Sequence, residues 1–288
     1  MKDQAEALRL KMKKIDSQKN TKTLAVVSGK GGVGKSNFSL NFSISLTKRG
    51  HKVLLFDMDV GMGNIDILMG KTSRYSIVDY FNGKESLRNI VSEGLDGLHY
   101  IAGGAGLSQL IKLEDHTIER FFEELEDLLF EYEYVIFDMG AGASEESLKF
   151  ILSVDEIFVI TTPEPTSITD AYSMMKFIHL NDQSNLPFYI VVNRVSNEKE
   201  GQEIYNRIQS VVQKFLGREA KALGMLPDDR ALMQAVIKQV PFIYNGKSNA
   251  AKALSEITDL YERQQFKDAP TTKVFNFASK LKRFLFER

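Results

Sequence analysis

The sequence predicts an α/β fold, a doubly wound, mostly parallel sheet flanked by helices. The first observation is a series of short, almost continuously apolar runs, which is the pattern of strands buried on both faces. The second is that helical stretches alternate with these runs, as they do in successive βαβ units. The predicted strands are Thr23–Ser28, Lys52–Phe56, Tyr134–Phe137, Ile157–Thr161 and Phe188–Val192.

Helical periodicity supports the layers on either side of this sheet. The segment 36–48 follows the first predicted strand and is typical of a helix. Between 116 and 131, apolar side chains recur at helical spacing, which predicts a helix with one face in the core. That face consists of Ile118, Phe121, Phe122, Leu125, Leu128 and Leu129.

The composition excludes several classes of protein. With 288 residues, 43% of them hydrophobic and 26% charged, the chain is neither disordered nor fibrous. It lacks the run of about 18 apolar residues that a transmembrane helix needs, and residues 1–12 lack the apolar stretch of a secretory signal. The absence of cysteine excludes disulfides, a thiol nucleophile, a structural cysteine–zinc site and a cysteine-ligated iron–sulfur cluster. A cytoplasmic protein is therefore expected.

The charge divides the chain into three units. Residues 1–22 and 267–288 each carry +4, which leaves −9 for residues 23–266 out of a net charge of −1. An acidic body is poorly suited to non-specific contact with nucleic acid, so direct DNA binding is not expected. The basic ends are either attachment devices or solvated tails.

A phosphate-binding loop follows the first predicted strand. Gly29–Ser36 matches G-x-x-x-x-G-K-[ST] between a strand and a helix, so it predicts nucleotide binding by inward-pointing backbone N–H groups. Lys35 is expected to reach the β- and γ-phosphates, and the hydroxyl of Ser36 to bind Mg²⁺. The candidate nucleotide contacts here are Gly31, Gly32, Val33, Gly34, Lys35, Ser36 and Asn37.

A second lysine, Lys30, stands near the start of this loop. With it, the string KGGVGKS resembles the deviant Walker A motif of the MinD/ParA ATPase family. The resemblance implies ATP or ADP with Mg²⁺ as cofactors, and an ATP-dependent homodimer in which Lys30 touches the phosphates of the facing subunit. A cation supplied in this way would stabilise charge that develops at the γ-phosphate. The alternative is that Lys30 is simply an exposed loop lysine.

Two aspartates follow the second predicted strand. Asp57 and Asp59 occupy alternate positions, so both can approach the phosphate side of the sheet. The resemblance implies that Asp59 positions the attacking water and that both aspartates support the metal. The alternative, stronger for Asp57, is that one of them caps the next helix.

A third aspartate, Asp138, ends the predicted strand Tyr134–Phe137 in the manner of a Walker B motif and is expected to hold Mg²⁺. Gly140 and Gly142 then make the next loop mobile, as a γ-phosphate sensor requires. The family tends to read D-x-P-A-G at this place, whereas this chain reads D-M-G-A-G.

The nucleobase is expected near two later segments. The amide of Asn193 offers a donor and an acceptor to the edge of adenine, and Arg194 follows it. Pro227 and Asp228 lie where the family wraps its backbone around the base.

The carboxyl-terminal segment 273–288 is predicted to be an amphipathic helix. Its apolar stripe, surrounded by cations, is typical of a helix that lies in a membrane interface, and MinD relatives carry such a helix at this end. Two such helices on one dimer would bind lipids far better than one. The alternative is a helix that docks on its own domain. Both arrangements can hold in turn, in which case release of the docked helix in the ATP-bound dimer would switch membrane binding on. The candidate membrane contacts are Phe275, Phe277, Leu281, Phe284 and Leu285.

The amino-terminal segment 3–12 is predicted to be a short helix. Its pattern D-Q-A-x-x-L-R resembles the amino-terminal motif of the FlhG-type branch of the family, also called FleN or YlxH, which regulates flagellar number. The resemblance implies that this helix binds and stimulates the flagellar GTPase FlhF. The alternative is a disordered leader. The candidate partner contacts are Asp3, Gln4, Ala5, Leu8 and Arg9.

Together these features favour a slow Mg²⁺-dependent ATPase switch that dimerises on ATP and attaches to the inner face of the membrane. The resemblance implies that it sets the number and placement of flagella with an FlhF-type GTPase and with basal-body (C-ring) proteins. One alternative is a septum-site MinD-type ATPase with a different client. Another is a scaffold that binds nucleotide without hydrolysis. A metabolic kinase is disfavoured, because no pocket signature for an acceptor substrate is present.

Overall fold

The computed structural model describes residues 21–59, 64–103, 115–142, 144–267 and 275–286. Its strands are β1 (Lys22–Val27), β2 (Val53–Met58), β3 (Val91–Glu93), β4 (His99–Ile101), β5 (Tyr134–Met139), β6 (Glu156–Thr161), β7 (Phe188–Val195) and β8 (Ala220–Pro227). The helices that precede β6 are α1 (Lys35–Lys48), α2 (Ile65–Met69), α3 (Ile77–Phe81), α4 (Asp115–Leu129) and α5 (Glu145–Ser153). Those that follow it are α6 (Pro165–Asn181), α7 (Glu198–Leu216), α8 (Arg230–Ile237), α9 (Asn249–Lys267) and α10 (Phe275–Phe286), with a 3₁₀ turn at Phe242–Tyr244.

In the described part of the chain, the strands form one sheet in the order β3-β4-β2-β5-β1-β6-β7-β8. The pair β3–β4 is antiparallel and the other pairs are parallel. The predicted fold class is therefore confirmed. After β1 the chain builds the strands on one flank of β1 as far as β5, and from β6 onward it builds those on the other flank. The carboxyl end of β1 is therefore a topological switch point, the kind of place where ligands bind in such sheets.

Two apolar layers cover the sheet. Alternate residues of β1 point to opposite faces, so that Ala25 and Val27 join one core cluster while Leu24 and Val26 join the other. The first cluster includes side chains of α4 to α7 and α10, and the second includes those of α1 and α9. Burial on both faces explains why the central strands read as continuous apolar runs.

The carboxyl-terminal helix α10 is docked on its own domain. Its residues Phe277 and Leu281 are at most 2% exposed, and α10 packs against α4 and α5. The ring of Phe277 stacks on Phe137 of β5, with centroids 4.9 Å apart. Phe284 and Leu285 are partly buried against the same core. This structure therefore shows the alternative arrangement, a helix docked on its own domain, in which Phe277 and Leu281 do not form an exposed apolar face.

Some predictions fall outside the described residues. The partner contacts expected at Asp3, Gln4, Ala5, Leu8 and Arg9 belong to this group, and so does the side chain of Phe275. The helix expected over 3–12 and the three-unit domain division stay predictions. In the described ranges, no helix is long and apolar enough to span a bilayer.

Candidate functional site

Loops from several strand ends meet at the carboxyl edge of the sheet. A Cβ atom built on Gly31 would lie 3.7 Å from Cβ of Ala141, so the loop after β1 contacts the loop after β5. A Cβ atom on Gly140 would lie 3.8 Å from Cα of Asp59, which places the loop after β2 beside it. The parallel sheet therefore brings the predicted phosphate loop and the predicted carboxylates together, as expected from their positions at strand ends.

The loop between β1 and α1 has the shape of an anion-binding turn. Gly34 adopts φ 93°, a left-handed conformation that side chains disfavour, directly before the first turn of α1. Ser36 and Asn37 are half-buried in that first turn, whereas Gly31 and Gly32 are exposed. A helix amino terminus with free N–H groups attracts phosphate, so the predicted nucleotide contacts lie on a suitable surface.

Lys35 and Asp138 form a buried ion pair. Their side chains are 8% and 1% exposed, and Nζ lies 3.1 Å from Oδ1 of the carboxylate. The hydroxyl of Ser39 donates to the same oxygen at 2.9 Å. The other oxygen, Oδ2 of Asp138, is buried and has no hydrogen-bond partner. A buried carboxylate oxygen in this condition is a strong acceptor that is available to a cation.

Asp57 stands opposite Asp138 in the register of β2 and β5. Burial, and next the charge of Asp138, raise the pKa of Asp57 to about 6. Its Oδ1 accepts a hydrogen bond from N–H of Asp59 at 3.0 Å, while Oδ2 accepts from N–H of Asn64 at 2.9 Å and of Ile65 at 3.3 Å. Asp57 therefore caps α2 and holds the loop that carries Asp59. Helix capping was the alternative given for Asp57 in the sequence analysis. Its support of a metal stays a prediction.

The donors at this edge fit a Mg²⁺ ion shared with a nucleotide. Mg²⁺ prefers oxygen ligands and is usually held by one or two carboxylates together with substrate phosphates. The unpartnered oxygen of Asp138, opposite the buried Asp57, indicates an acceptor that is available to a cation at this edge. Ser36, Asp57, Asp59 and Asp138 stay the residues predicted to hold the ion.

Lys30 faces a different part of the site from Lys35. Its ammonium lies 2.6 Å from Oε2 of Glu164 and donates to the hydroxyl of Thr166 at 3.3 Å. The two ion-paired side chains are 39% and 55% exposed, and the contact with Lys30 lowers the pKa of the Glu164 carboxyl. Glu164 was not among the predicted site residues. Its position just after the carboxyl end of β6, at the edge of the sheet where the site lies, could have indicated it.

At the predicted base site, the amide of Asn193 already has partners in the protein. Asn193 is 3% exposed, and its amide nitrogen donates to the carbonyl of Val33 at 2.7 Å. Its amide oxygen accepts from N–H of Arg194 at 2.9 Å, so both ends of the amide contact backbone. The contact of Asn193 with adenine stays a prediction.

The segments after β7 and β8 lie side by side. Arg194 is exposed with φ 61°, and N–H of Asp228 donates to the carbonyl of Val195 at 2.9 Å. Pro227 is half-buried and Asp228 is exposed. The structure therefore brings together the two segments expected to hold the base.

We expect Lys35→Ala to lower the free energy of unfolding of the nucleotide-free protein by about 3 kcal/mol, because Asp138 would stay buried without its cation. Urea titration measures this change. The matched control is Lys30→Ala, whose ion pair is exposed and should change stability by less than about 1 kcal/mol. Adding Asp138→Asn to Lys35→Ala should recover much of the loss. Equal losses for the two lysine variants would contradict this assignment.

Comparison with known proteins places this geometry in a family. Residues 24–242 match the model of the CobQ/CobB/MinD/ParA nucleotide binding domain. The antiactivator FleN of Pseudomonas aeruginosa is 29% identical over 228 residues, which cover 79% of this chain and 81% of FleN. The flagellum site-determining protein YlxH of Helicobacter pylori is 34% identical over 224 residues, covering 77% of this chain and 75% of YlxH.

Solved structures share the fold. The septum site-determining protein MinD of Pyrococcus horikoshii, complexed with Mg-ADP, has a TM-score of 0.68 at 20% identity, over 86% of this chain and 99% of that one. The family match covers most of β1, the phosphate loop and the segments that carry the three aspartates. The chain therefore belongs to the CobQ/CobB/MinD/ParA family of nucleotide-binding domains, among its MinD/ParA ATPases.

Proposed function

We propose that this protein is a Mg²⁺-dependent ATPase switch that dimerises on ATP, attaches to the cytoplasmic face of the membrane and regulates the number and placement of flagella. The observation that carries the dimer is the position of Lys30. Its ammonium is exposed at the rim of the phosphate loop and contacts Glu164, whereas Lys35 is buried against Asp138. A cation at the rim is placed to serve a nucleotide held by a second copy of the chain.

The residues of one chain divide the chemistry among them. The N–H groups of the loop and the ammonium of Lys35 hold the phosphates, which requires Lys35 to exchange Asp138 for a phosphate oxygen. Asp59 orients the attacking water, and its loop is held by the carboxylate of Asp57. A Mg²⁺ ion held by Ser36, Asp57, Asp59 and Asp138 would offset the negative charge that develops on the phosphates. Lys30 of the facing subunit adds a second cation, in the manner of an arginine finger.

Dimerisation requires Lys30 to leave its present partners. In this structure Glu164 and Thr166, at the start of α6, hold the ammonium within the same chain. The ion pair is exposed, so it is weak and can be broken at little cost in free energy. Lys30 can therefore exchange Glu164 for phosphate when a second subunit approaches.

The docked helix α10 is the proposed membrane anchor. Lys282 and Arg283 are exposed while the apolar residues Phe277 and Leu281 are buried. Release of the helix would present these aromatic and aliphatic side chains together with the cations, which suits an anionic lipid surface. A single helix binds weakly, so a dimer with two helices gains most of its affinity from their linkage.

The proposal that the protein acts on flagella rests on two relatives and one sequence motif. FleN and YlxH are named as an antiactivator and as a flagellum site-determining protein. The segment 3–9 resembles the part of FlhG-type proteins that engages an FlhF-type GTPase. Flagellar basal-body (C-ring) proteins are the further proposed partners. MinD proteins are also among the relatives, so a septum-site ATPase with another client is the second candidate.

We expect Asp59→Ala to elute as a dimer in gel filtration with ATP and Mg²⁺, because the hydrolysis that separates the subunits is lost. Adding Lys30→Ala should restore the monomer, and wild-type protein with ADP should be monomeric. Phosphate release by the wild type should fall by at least about a hundredfold in Lys35→Ala, which would exclude the non-hydrolysing scaffold. If Asp59→Ala stays monomeric at high concentration with ATP, the dimer mechanism is wrong.

We expect Asp59→Ala with ATP to co-sediment with vesicles that contain anionic lipid, and Lys282→Glu to weaken this binding about tenfold through the loss of attraction and the added repulsion. Lys282 is exposed in the docked helix, so the change leaves its buried face intact. The control is Lys199→Glu, the same reversal at an exposed lysine of α7. Equal sedimentation of the two variants would argue against α10 as the anchor.

Deletion of residues 1–15 should abolish stimulation of an FlhF-type GTPase while ATP hydrolysis stays within about twofold of wild type, because the phosphate site lies elsewhere in the chain. The measurement is GTP turnover of the purified partner with increasing amounts of each form. Unchanged stimulation after the deletion would rule out the FlhG-type assignment and would favour the septum-site candidate.

A further inference from the structure

We propose that Asn193 is a positioning residue that holds the phosphate loop in its anion-binding shape. This proposal rests on the proposed function, since it takes Gly29–Ser36 to be the phosphate site. It assigns Asn193 a task that is independent of the nucleobase. The side chain acts on the loop across 160 residues of sequence, through one hydrogen bond to the carbonyl of Val33.

The geometry leaves Asn193 little freedom. Its side chain is 3% exposed, and the bond from Nδ2 to the carbonyl of Val33 is 2.7 Å long. At the other end, Oδ1 accepts from N–H of Arg194 at 2.9 Å, which fixes the nitrogen on the side of the loop. A Cβ atom on Gly34 would lie 2.3 Å from Nδ2, so the loop approaches this amide as closely as a glycine allows.

This bond determines where a neighbouring donor points. In a trans peptide group the carbonyl of one residue and the N–H of the next point in opposite directions. Because Asn193 holds the oxygen of Val33 on its own side, N–H of Gly34 is directed away from Asn193, and we take that side to be the one that receives phosphate. The phosphate site depends on successive N–H groups that point inward together. A flipped peptide would instead present the carbonyl of Val33 to an anion.

The chemistry requires an amide at this position. An aspartate of the same shape would bring a carboxylate oxygen against the carbonyl of Val33, which repels it, whereas alanine would only leave that carbonyl without a partner. The expected order of phosphate affinity is therefore wild type, then Asn193→Ala, then Asn193→Asp. A residue that only read the base would not affect a ligand without a base.

Calorimetric titration with inorganic tripolyphosphate, ATP and GTP, each with Mg²⁺, separates these roles. We expect Asn193→Ala to weaken tripolyphosphate and both nucleotides by at least about fivefold, and Asn193→Asp to weaken them by at least about twentyfold. The control is Asn181→Asp, the same exchange at an amide that donates to the carbonyl of Phe177 at 2.8 Å near the end of α6. A loss confined to ATP and GTP, with tripolyphosphate unaffected, would overturn the proposal.

Hydrogen exchange on the nucleotide-free protein gives a second readout. Amides of residues 29–36 should exchange at least about fivefold faster in Asn193→Ala than in wild type, while those of the central strands keep their wild-type rates. Unchanged exchange in 29–36 would overturn the proposal even if binding is altered. Wild-type protein that binds none of the three ligands would contradict nucleotide binding itself, and the exchange rates would still decide the role of Asn193.

Discussion

The buried contact between Lys35 and Asp138 is the interaction around which the site is arranged. In the register of β1 and β5, Asp138 pairs with Val26, the last residue but one of β1, and α1 begins at Lys35 just beyond the loop. Each charge is nearly inaccessible to water and depends on the other for its electrostatic balance. The loop between them is therefore held at both ends, by the sheet and by the ion pair.

Charge at this edge explains why a ligand that brings a cation with it is suited to the site. Asp57 and Asp138 lie at the same level on adjacent strands, and one oxygen of Asp138 has no partner. Of the described residues, Lys35 is the cation paired with Asp138, and the pKa of Asp57 is raised by its burial and next by the charge of Asp138. A nucleotide that arrives with a divalent ion brings both the anion for the loop and the cation for the carboxylates.

Much of the fold follows from apolar patterning, but weakly patterned elements do not. The five central strands are almost continuously apolar, and the structure confirms them with small shifts at their ends. By contrast, β3 and β4 have three residues each, too few to show a period. β8 contains a glycine, and its sequence shows neither the pattern of a strand nor that of a helix. Its pairing with β7 includes register shifts, which a regular strand pattern would not predict. Parallel pairing then explains why motif residues at separate strand ends could be expected at one edge.

Side-chain partners within the site were beyond the reach of sequence reasoning. The contact of Lys30 with Glu164 spans 134 residues, and it depends on how far α6 lies from the loop, which no motif records. The capping role of Asp57 was foreseen only as an alternative, because a strand-end carboxylate suits a metal and a helix terminus equally well. Packing and rotamers decide between such options, whereas residue type and spacing only define them.

The stacking of Phe277 on Phe137, next to Asp138 in the chain, would be lost in the proposed release of α10. The body would then expose the apolar surface of α4 and α5 that α10 covers (the trough), in addition to the apolar stripe on the helix. Water in contact with the trough raises the free energy of the undocked chain for as long as the helix is away. Burying this surface again would favour the docked position of α10 once the proposed contact with the membrane is lost.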